Sequence, residues 1–279
     1  MQVITEKQLE HFQQHLLAQE RSAATVEKYL RDVRAFVVWL RGAPLSKNAV
    51  SKWKEHLLAA RNSPATVNAK LAALGAFLTC QGWDCCRVKP LKLQRRLFCD
   101  TSRELGREAY VRLLETAHAL GKTRLSLLME TICSTGIRVS ELQYITLEAA
   151  QQGRAEISLK GKIRTILIPG KLCRKLQKYA RKEKITSGEV FLTRTGKRLS
   201  RKQIWAEMKA LCDRAGVARS KVYPHNLRHL FARCFYKACR DISKLADVLG
   251  HSSIETTRIY LICSSAEHAQ TLERLHLIL

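Results

Sequence analysis

The sequence predicts a mainly α-helical protein with one small antiparallel β-sheet, arranged as two domains. Three observations predict this. Apolar residues recur at helical spacing through residues 5–97 and again from Arg107. The period changes to alternation once, in "AEISLKGKIRTILIP" (155–169), which reads as a strand, a tight "KGK" turn and a second strand. Between the helical regions, "VKPLKLQRRLFCDTSR" (88–103) holds a proline, several cations and little periodicity.

The elements follow in order. From Thr5 to Gln19, Leu9, Phe12, Leu16 and Leu17 share one helical face, and Thr5 with Gln8 fits a capping box. From Thr25 to Leu40, Val26, Tyr29, Leu30, Val33, Phe36, Val37 and Leu40 repeat the pattern until Gly42 and Pro44 stop it. Residues 47–60 make a third helix. "SPATVNAKLAALGAFLTCQG" makes a fourth, with Ser63 as N-cap and Pro64 at the first helical position. Four short helices joined by short loops predict a bundle. The domains are drawn at 1–97 and 107–279, with 98–106 as linker. In the second domain "REAYVRLLETAHAL" and "RLSLLMETICSTGIRVSELQYI" read as helices ahead of the hairpin. From Leu172 the chain is helical again, apart from an extended piece with a glycine turn in "EVFLTRTGK" (189–197).

Charge narrows the function. The 279 residues carry 49 Lys+Arg against 24 Asp+Glu, a net of +25. The excess is +8 over residues 1–100 and +17 over 101–279, so both parts face a polyanion. No apolar run approaches the ~18 residues that span a bilayer, and no basic amphipathic anchor stands out. The start, "MQVITEKQLEHF", is polar and periodic, unlike a signal peptide. Nucleic acid is therefore the leading partner class. The ten cysteines form no CxxC pair and no regular framework, which predicts reduced thiols and a cytoplasmic protein. The spacing of Cys80, Cys85, Cys86 and Cys99 fits no standard zinc pattern.

Five segments of the second domain hold polar groups that a phosphate would use. "TGIRVSEL" carries Arg138 and, one turn on, Glu141. "SLKGKIR" places Lys160 at the hairpin tip. "HNLRH" sets His225 and Arg228 three apart on one helical face. "LGHSS" carries His251, and "TTRIY" carries Tyr260. Taken singly, each has a bland reading. An arginine in a helix is a solvated charge or ion pair, a hairpin lysine is surface, and a tyrosine is core or rim. His225 and His229 stand at zinc-ligand spacing, but no HExxH glutamate follows and no third ligand is evident, so no metal is expected. It is the set, in this order, that carries the signal.

In that order the motifs resemble the tyrosine recombinases of the phage-integrase and Xer kind. The family pattern is an Arg in TGxRxxEL, a Lys on a β-hairpin, HxLRH, LGH, and a Tyr about nine residues later. Here these are Arg138, Lys160, His225 with Arg228, His251 and Tyr260, and Lys162 across the turn is the alternative lysine. The resemblance implies a core-binding, SAM-like helical first domain and an α+β catalytic second domain. It implies a site-specific recombinase that cuts and rejoins DNA through a 3′-phosphotyrosyl link on Tyr260 and exchanges strands through a Holliday junction, without metal, ATP or another cofactor. Arg138 and Arg228 would clamp the non-bridging oxygens. Lys160 would protonate the leaving 5′-oxygen. His225 would assist proton transfer at the tyrosine, and His251 would hydrogen-bond the phosphate. Glu141 would orient an arginine or His225, Leu227 would point into the core, and His229 would support the site.

The implied partner is double-stranded DNA with short inverted-repeat core sites, bound by a dimer per site and a homo-tetramer on synapsed DNA, in a bacterial-type cytoplasm at the nucleoid. The terminal "LICSSAEHAQTLERLHLIL" would form a helix docking in trans into a neighbouring protomer. Lys202, Lys209, Arg219 and Lys221 are candidates for phosphate contact. A type IB topoisomerase would share the chemistry, but the separate helical bundle and the tail argue against it. A DNA-binding regulator on a decayed recombinase fold would not need the intact set of Arg, Lys, His, Arg, His and Tyr.

Overall fold

The computed structural model describes residues 4–93, 101–159, 162–261 and 273–274. The chain divides into two compact units, 1–95 and 96–279.

The first unit contains α1 (Glu6–Ala18), α2 (Ala23–Leu40), α3 (Lys47–Ala59) and α4 (Pro64–Cys80). Sequence chemistry sets their starts. Thr5 and Gln8 form the expected capping box, and the Ser46 and Ser63 hydroxyls accept from the backbone N–H of Ala49 and Thr66. The apolar faces meet in one core. Phe12 packs edge-on against Phe77 at 5.4 Å between ring centroids, and Phe36 against Trp53 at 5.1 Å. Val88 and Leu91, in the stretch that reads as a connector, lie on this core, because Asn68 clasps both the N–H and the carbonyl of Leu91.

The second unit continues with α5 (Arg107–Ala119), α6 (Thr123–Thr135), a 3₁₀ turn (Val139–Tyr144) and α7 (Leu147–Gln152). Then come the strands β1 (Arg154–Leu159) and β2 (Lys162–Leu167), an antiparallel pair with Ile157 opposite Arg164. The remaining helices are α8 (Gly170–Lys182), α9 (Arg201–Lys209), α10 (Cys212–Ala215), α11 (Pro224–Cys239), α12 (Ile242–Leu249) and α13 (Ile254–Arg258). The extended piece at 189–198 makes only single bridges, Thr146 with Glu189 and Leu192 with Arg198.

The core of this unit runs through α5, α6, α7, both strands, α8, α9 and α11. Leu105, inside the stretch drawn as linker, is fully buried in it. The adjoining backbone is held too: Asn226 donates to the Arg103 carbonyl at 2.8 Å and Arg233 to the Leu105 carbonyl at 2.7 Å. Amphipathic α8 buries Leu172, Cys173, Leu176 and Tyr179 and turns Lys171, Arg174, Lys178 and Arg181 outward. Its apolar side is thus spent on the core. Among the described residues no helix is long and apolar enough to cross a membrane.

Candidate active site

The site grows from three helix ends. The first is the C-terminus of α6. Gly136 closes that helix in the left-handed conformation at φ +67°, and a Cβ there would stand 2.4 Å from the Phe231 ring on α11. Glycine is therefore required twice over, by backbone and by packing. The chain then turns into the 3₁₀ segment. Buried Glu141 accepts from the Arg138 backbone N–H at 2.7 Å and from its guanidinium at 3.0 Å. Arg138 is thereby held by its base while its side chain stays partly open to solvent.

The second end is the N-terminus of α11, which opens at Pro224. Buried Asn226 donates to the carbonyls of Arg103 and Lys221 and fixes the first turn. Leu227 is fully buried, as its place in "HNLRH" predicts. Arg228, 1% exposed, reaches between two helix termini. It donates to the Gly136 carbonyl, to the Leu249 carbonyl at 2.9 Å, to His251 Nε2 at 2.8 Å and to the Tyr260 hydroxyl at 3.4 Å.

The third end is the C-terminus of α12, capped by Gly250 at φ +63°. Next comes His251, whose tautomer follows from its neighbours. Arg228 has only donors, so Nε2 accepts and the proton sits on Nδ1, donated to Thr257 Oγ at 2.8 Å. Thr257 is fully buried. Tyr260 is 7% exposed, its ring stacked on His251 (10° between planes) and meeting His229 edge-on at 4.4 Å between centroids. His229 in turn meets His225 at 4.7 Å. Arg138, His225 and Arg228 line one cleft together with Arg201, Trp205 and Tyr223.

The electrostatics are those of an anion site. Arg138, Arg164 and Arg228 converge around a single carboxylate, Glu141. Partial burial first, and the neighbouring basic groups after it, hold the imidazoles below their ordinary pKa. His225 is lowered by burial, Arg228 and Arg138. His251 falls to about 4 through burial, then Arg228, Arg138 and Arg164. His229 falls to about 4 through burial, then His225 and Arg228. The linkage sign is acid-destabilising. Above pH 6.5 these histidines are neutral folded or unfolded; below it the unfolded chain binds the protons that the folded chain refuses. Stability should fall as the pH drops from 6.5 to about 4. Thermal midpoints read across that window will check it, and His229→Gln should flatten the slope.

The structure thus brings Arg138, Glu141, His225, Arg228, His229, His251 and Tyr260 into one site within a single chain. Lys160 lies outside the described residues, and of Lys162 only the backbone, at the start of β2, is described. The terminal segment after Leu261 is likewise outside them, apart from 273–274. One surface expectation is corrected: Lys209 is buried, because its ammonium is taken by the Arg219 carbonyl and lies over the Trp205 ring. Lys202 and Arg219 are exposed, Arg219 paired with Asp213, and Lys221 is half-buried. Two participants went unread. Thr257, in "TTRIY", takes the His251 Nδ1 proton, and Arg164 binds Glu141 at 2.6 Å. A charge in phase with Ile166 and Ile168 on the inward side of β2 is the signal that marks Arg164. Among the described residues no three His, Cys, Asp or Glu side chains are grouped to hold a metal ion.

Comparison with known proteins agrees with the motif order. The "Phage integrase family" model matches residues 103–267, and the "Phage integrase, N-terminal SAM-like domain" model matches 9–81. Tyrosine recombinase XerA of Thermococcus kodakarensis is 29% identical over 262 residues, covering 90% of this chain and 89% of that protein. Tyrosine recombinase XerC of Pseudomonas entomophila is 34% identical over 139 residues, about half of each chain. Among solved structures, a lambda integrase tetramer bound to a Holliday junction superposes with a TM-score of 0.73 at 17% identity, covering 91% of this chain and 76% of that one. The last likeness is one of fold. With the family model spanning more than half of its length, this chain belongs to the phage integrase family, the tyrosine recombinases, whose catalysis is the cleavage and rejoining of DNA strands.

Proposed function

We propose that this chain is a site-specific DNA recombinase in which Tyr260 is the nucleophile and Arg138 and Arg228 hold the phosphate it attacks. The observation that carries the reading is the Tyr260 hydroxyl lying against Arg228 of the same chain. A scissile phosphate bridging Arg138 and Arg228 would meet the tyrosine in cis. The Tyr260 oxygen bonds to phosphorus, the bond to the 5′-oxygen breaks, and a 3′-phosphotyrosyl ester results. Reversal by a new 5′-hydroxyl rejoins the strand with no external energy. The arginines stabilise the charge that builds on the non-bridging oxygens. Lys160 supplies the proton to the leaving 5′-oxygen, and neutral His225, exposed at the cleft, accepts the tyrosine's proton. His229 and His251 fix the tyrosine ring between them. His251 donates to the phosphate only by giving up its Nε2 bond to Arg228 and taking a proton on that nitrogen.

Double-stranded DNA with short inverted repeats is the substrate, bound by a dimer at each site and by a tetramer when two sites synapse. The net charge of +25 supports that partner, and so does the lambda integrase likeness, whose solved forms include a dimer on a core site and a tetramer on a Holliday junction. The terminal segment would dock in trans and close the ring, and the reaction would take place in the cytoplasm. The test is a nicked duplex drawn from the DNA flanking the gene, incubated with protein in EDTA and run on a denaturing gel. A covalent protein–DNA band is the expected result. Intact binding with no band on any such site would turn the reading toward a regulator.

A further inference from the structure

We infer that Arg164 is a positioning residue for strand cleavage, the brace that ties the β-hairpin to both phosphate-binding arginines. The inference rests on the reading of Arg138 and Arg228 as the phosphate clamp.

Three observations converge on it. First, Arg164 stands where a strand should be apolar. Ile166 and Ile168 share its inward phase and are buried, while Ile163 and Leu167 on the outward phase are exposed. An inward guanidinium carries a desolvation cost, so it needs partners that repay it. Second, its partners are the supports of the clamp. Nη2 donates to Glu141 Oε2 at 2.6 Å, and Glu141 holds Arg138 through both its backbone N–H and its guanidinium. Nη1 donates to the Val248 carbonyl at 3.2 Å, one residue before the Leu249 carbonyl that receives Arg228. Third, the side chain runs so close beneath the LGH turn that a Cβ on Gly250 would lie 2.4 Å from its Cδ. The glycine before His251 is the gap through which Arg164 passes.

One side chain therefore touches the carboxylate that aims Arg138, the helix end that receives Arg228 and the turn that carries His251. It grows from β2, which begins at Lys162. A guanidinium can serve these contacts because its donors point in different directions from one rigid plane. An ammonium cannot serve Glu141 and Val248 together in that geometry. Arg164 is also partly shielded by the site itself, its side chain 15% exposed, which leaves Arg138 as the more open arginine at the cleft.

The test uses the full-length protein and the nicked duplex, with Arg164→Ala, Arg164→Lys, Glu141→Gln and Arg164→Ala/Glu141→Gln beside wild type. Single-turnover cleavage at saturating protein should fall about 100-fold in Arg164→Ala and about 10-fold in Arg164→Lys, while the Kd for the duplex moves less than about 3-fold. The double variant should lose clearly less than the product of the two single losses, since both changes break the Arg164–Glu141 contact while only Arg164→Ala also frees the Val248 carbonyl. Cleavage within 3-fold of wild type in Arg164→Ala would overturn the inference, and so would multiplicative losses in the double variant. If Arg164→Ala does not fold, Arg164→Lys decides: reduced cleavage with a native melting profile supports the brace. Unchanged cleavage, or a chain that again fails to fold, refutes it. Absence of any covalent band with wild type would instead sink the reading of the site on which the brace depends.

Discussion

Tyr260→Phe will abolish the covalent protein–DNA band and leave DNA binding and folding intact. The change removes one oxygen. Among the described residues that oxygen takes part in a single long hydrogen bond, 3.4 Å from Arg228 Nε, so the folded state loses about 1 kcal/mol or less. For a unit of this size the melting point should move by only a few degrees. The ring keeps its stack on His251 and its edge contact with His229. Cleavage, by contrast, should fall by at least ~10⁴-fold, because the group that bonds to phosphorus is gone while the clamp remains. The same variant should still retard the nicked duplex on a native gel. A covalent band that persists in Tyr260→Phe would mean that another hydroxyl attacks, and Tyr223, in the same cleft, would be the first to replace.

How much of this was legible beforehand depends on the scale at which the chemistry is written. Helix-forming periods and caps are local, so α1, α4 and the β-hairpin could be read almost residue by residue: Thr5 with Gln8 and Ser63 with Pro64 do locally what their spacing says. The motif residues were legible because the family order marks them. What could not be read is which atom each residue holds. Arg228 looks like a surface charge on α11 until the ends of α6 and α12 are packed beside it. Only then is it the donor that satisfies two helix-end carbonyls. Lys209 reads as a surface cation, and the reason it is buried, the Arg219 carbonyl ten residues on, is a tertiary fact. Arg164 was hidden by the success of the strand reading, since alternation assigns its position to the core and says nothing of a carboxylate on another element. The glycines before His251 and Arg138 likewise need their neighbours, Arg164 and Phe231, before their reason is visible.

Arg228 is where stability and catalysis are inseparable, and Arg228→Ala should damage both. Its guanidinium is almost fully buried and donates to the carbonyls of Gly136 and Leu249, so it joins the C-terminus of α6 to that of α12. Truncation to alanine strands two buried carbonyls, opens a cavity and frees His251 Nε2. A loss of roughly 3–5 kcal/mol is expected, read as a lower denaturation midpoint. Arg228→Lys tests the other half. It keeps the charge and most of the volume, so it should recover more than half of that stability, yet one ammonium cannot span both carbonyls and a phosphate. Cleavage by the lysine variant should remain ~10²–10³-fold below wild type, the scale on which a preorganised donor to a developing oxyanion acts. If lysine restored cleavage along with folding, Arg228 would be a structural cation and the phosphate clamp would have to be sought elsewhere in the cleft, with exposed Arg201 the next guanidinium along its wall. If it restores folding alone, the charge that builds the site is also the charge that works in it.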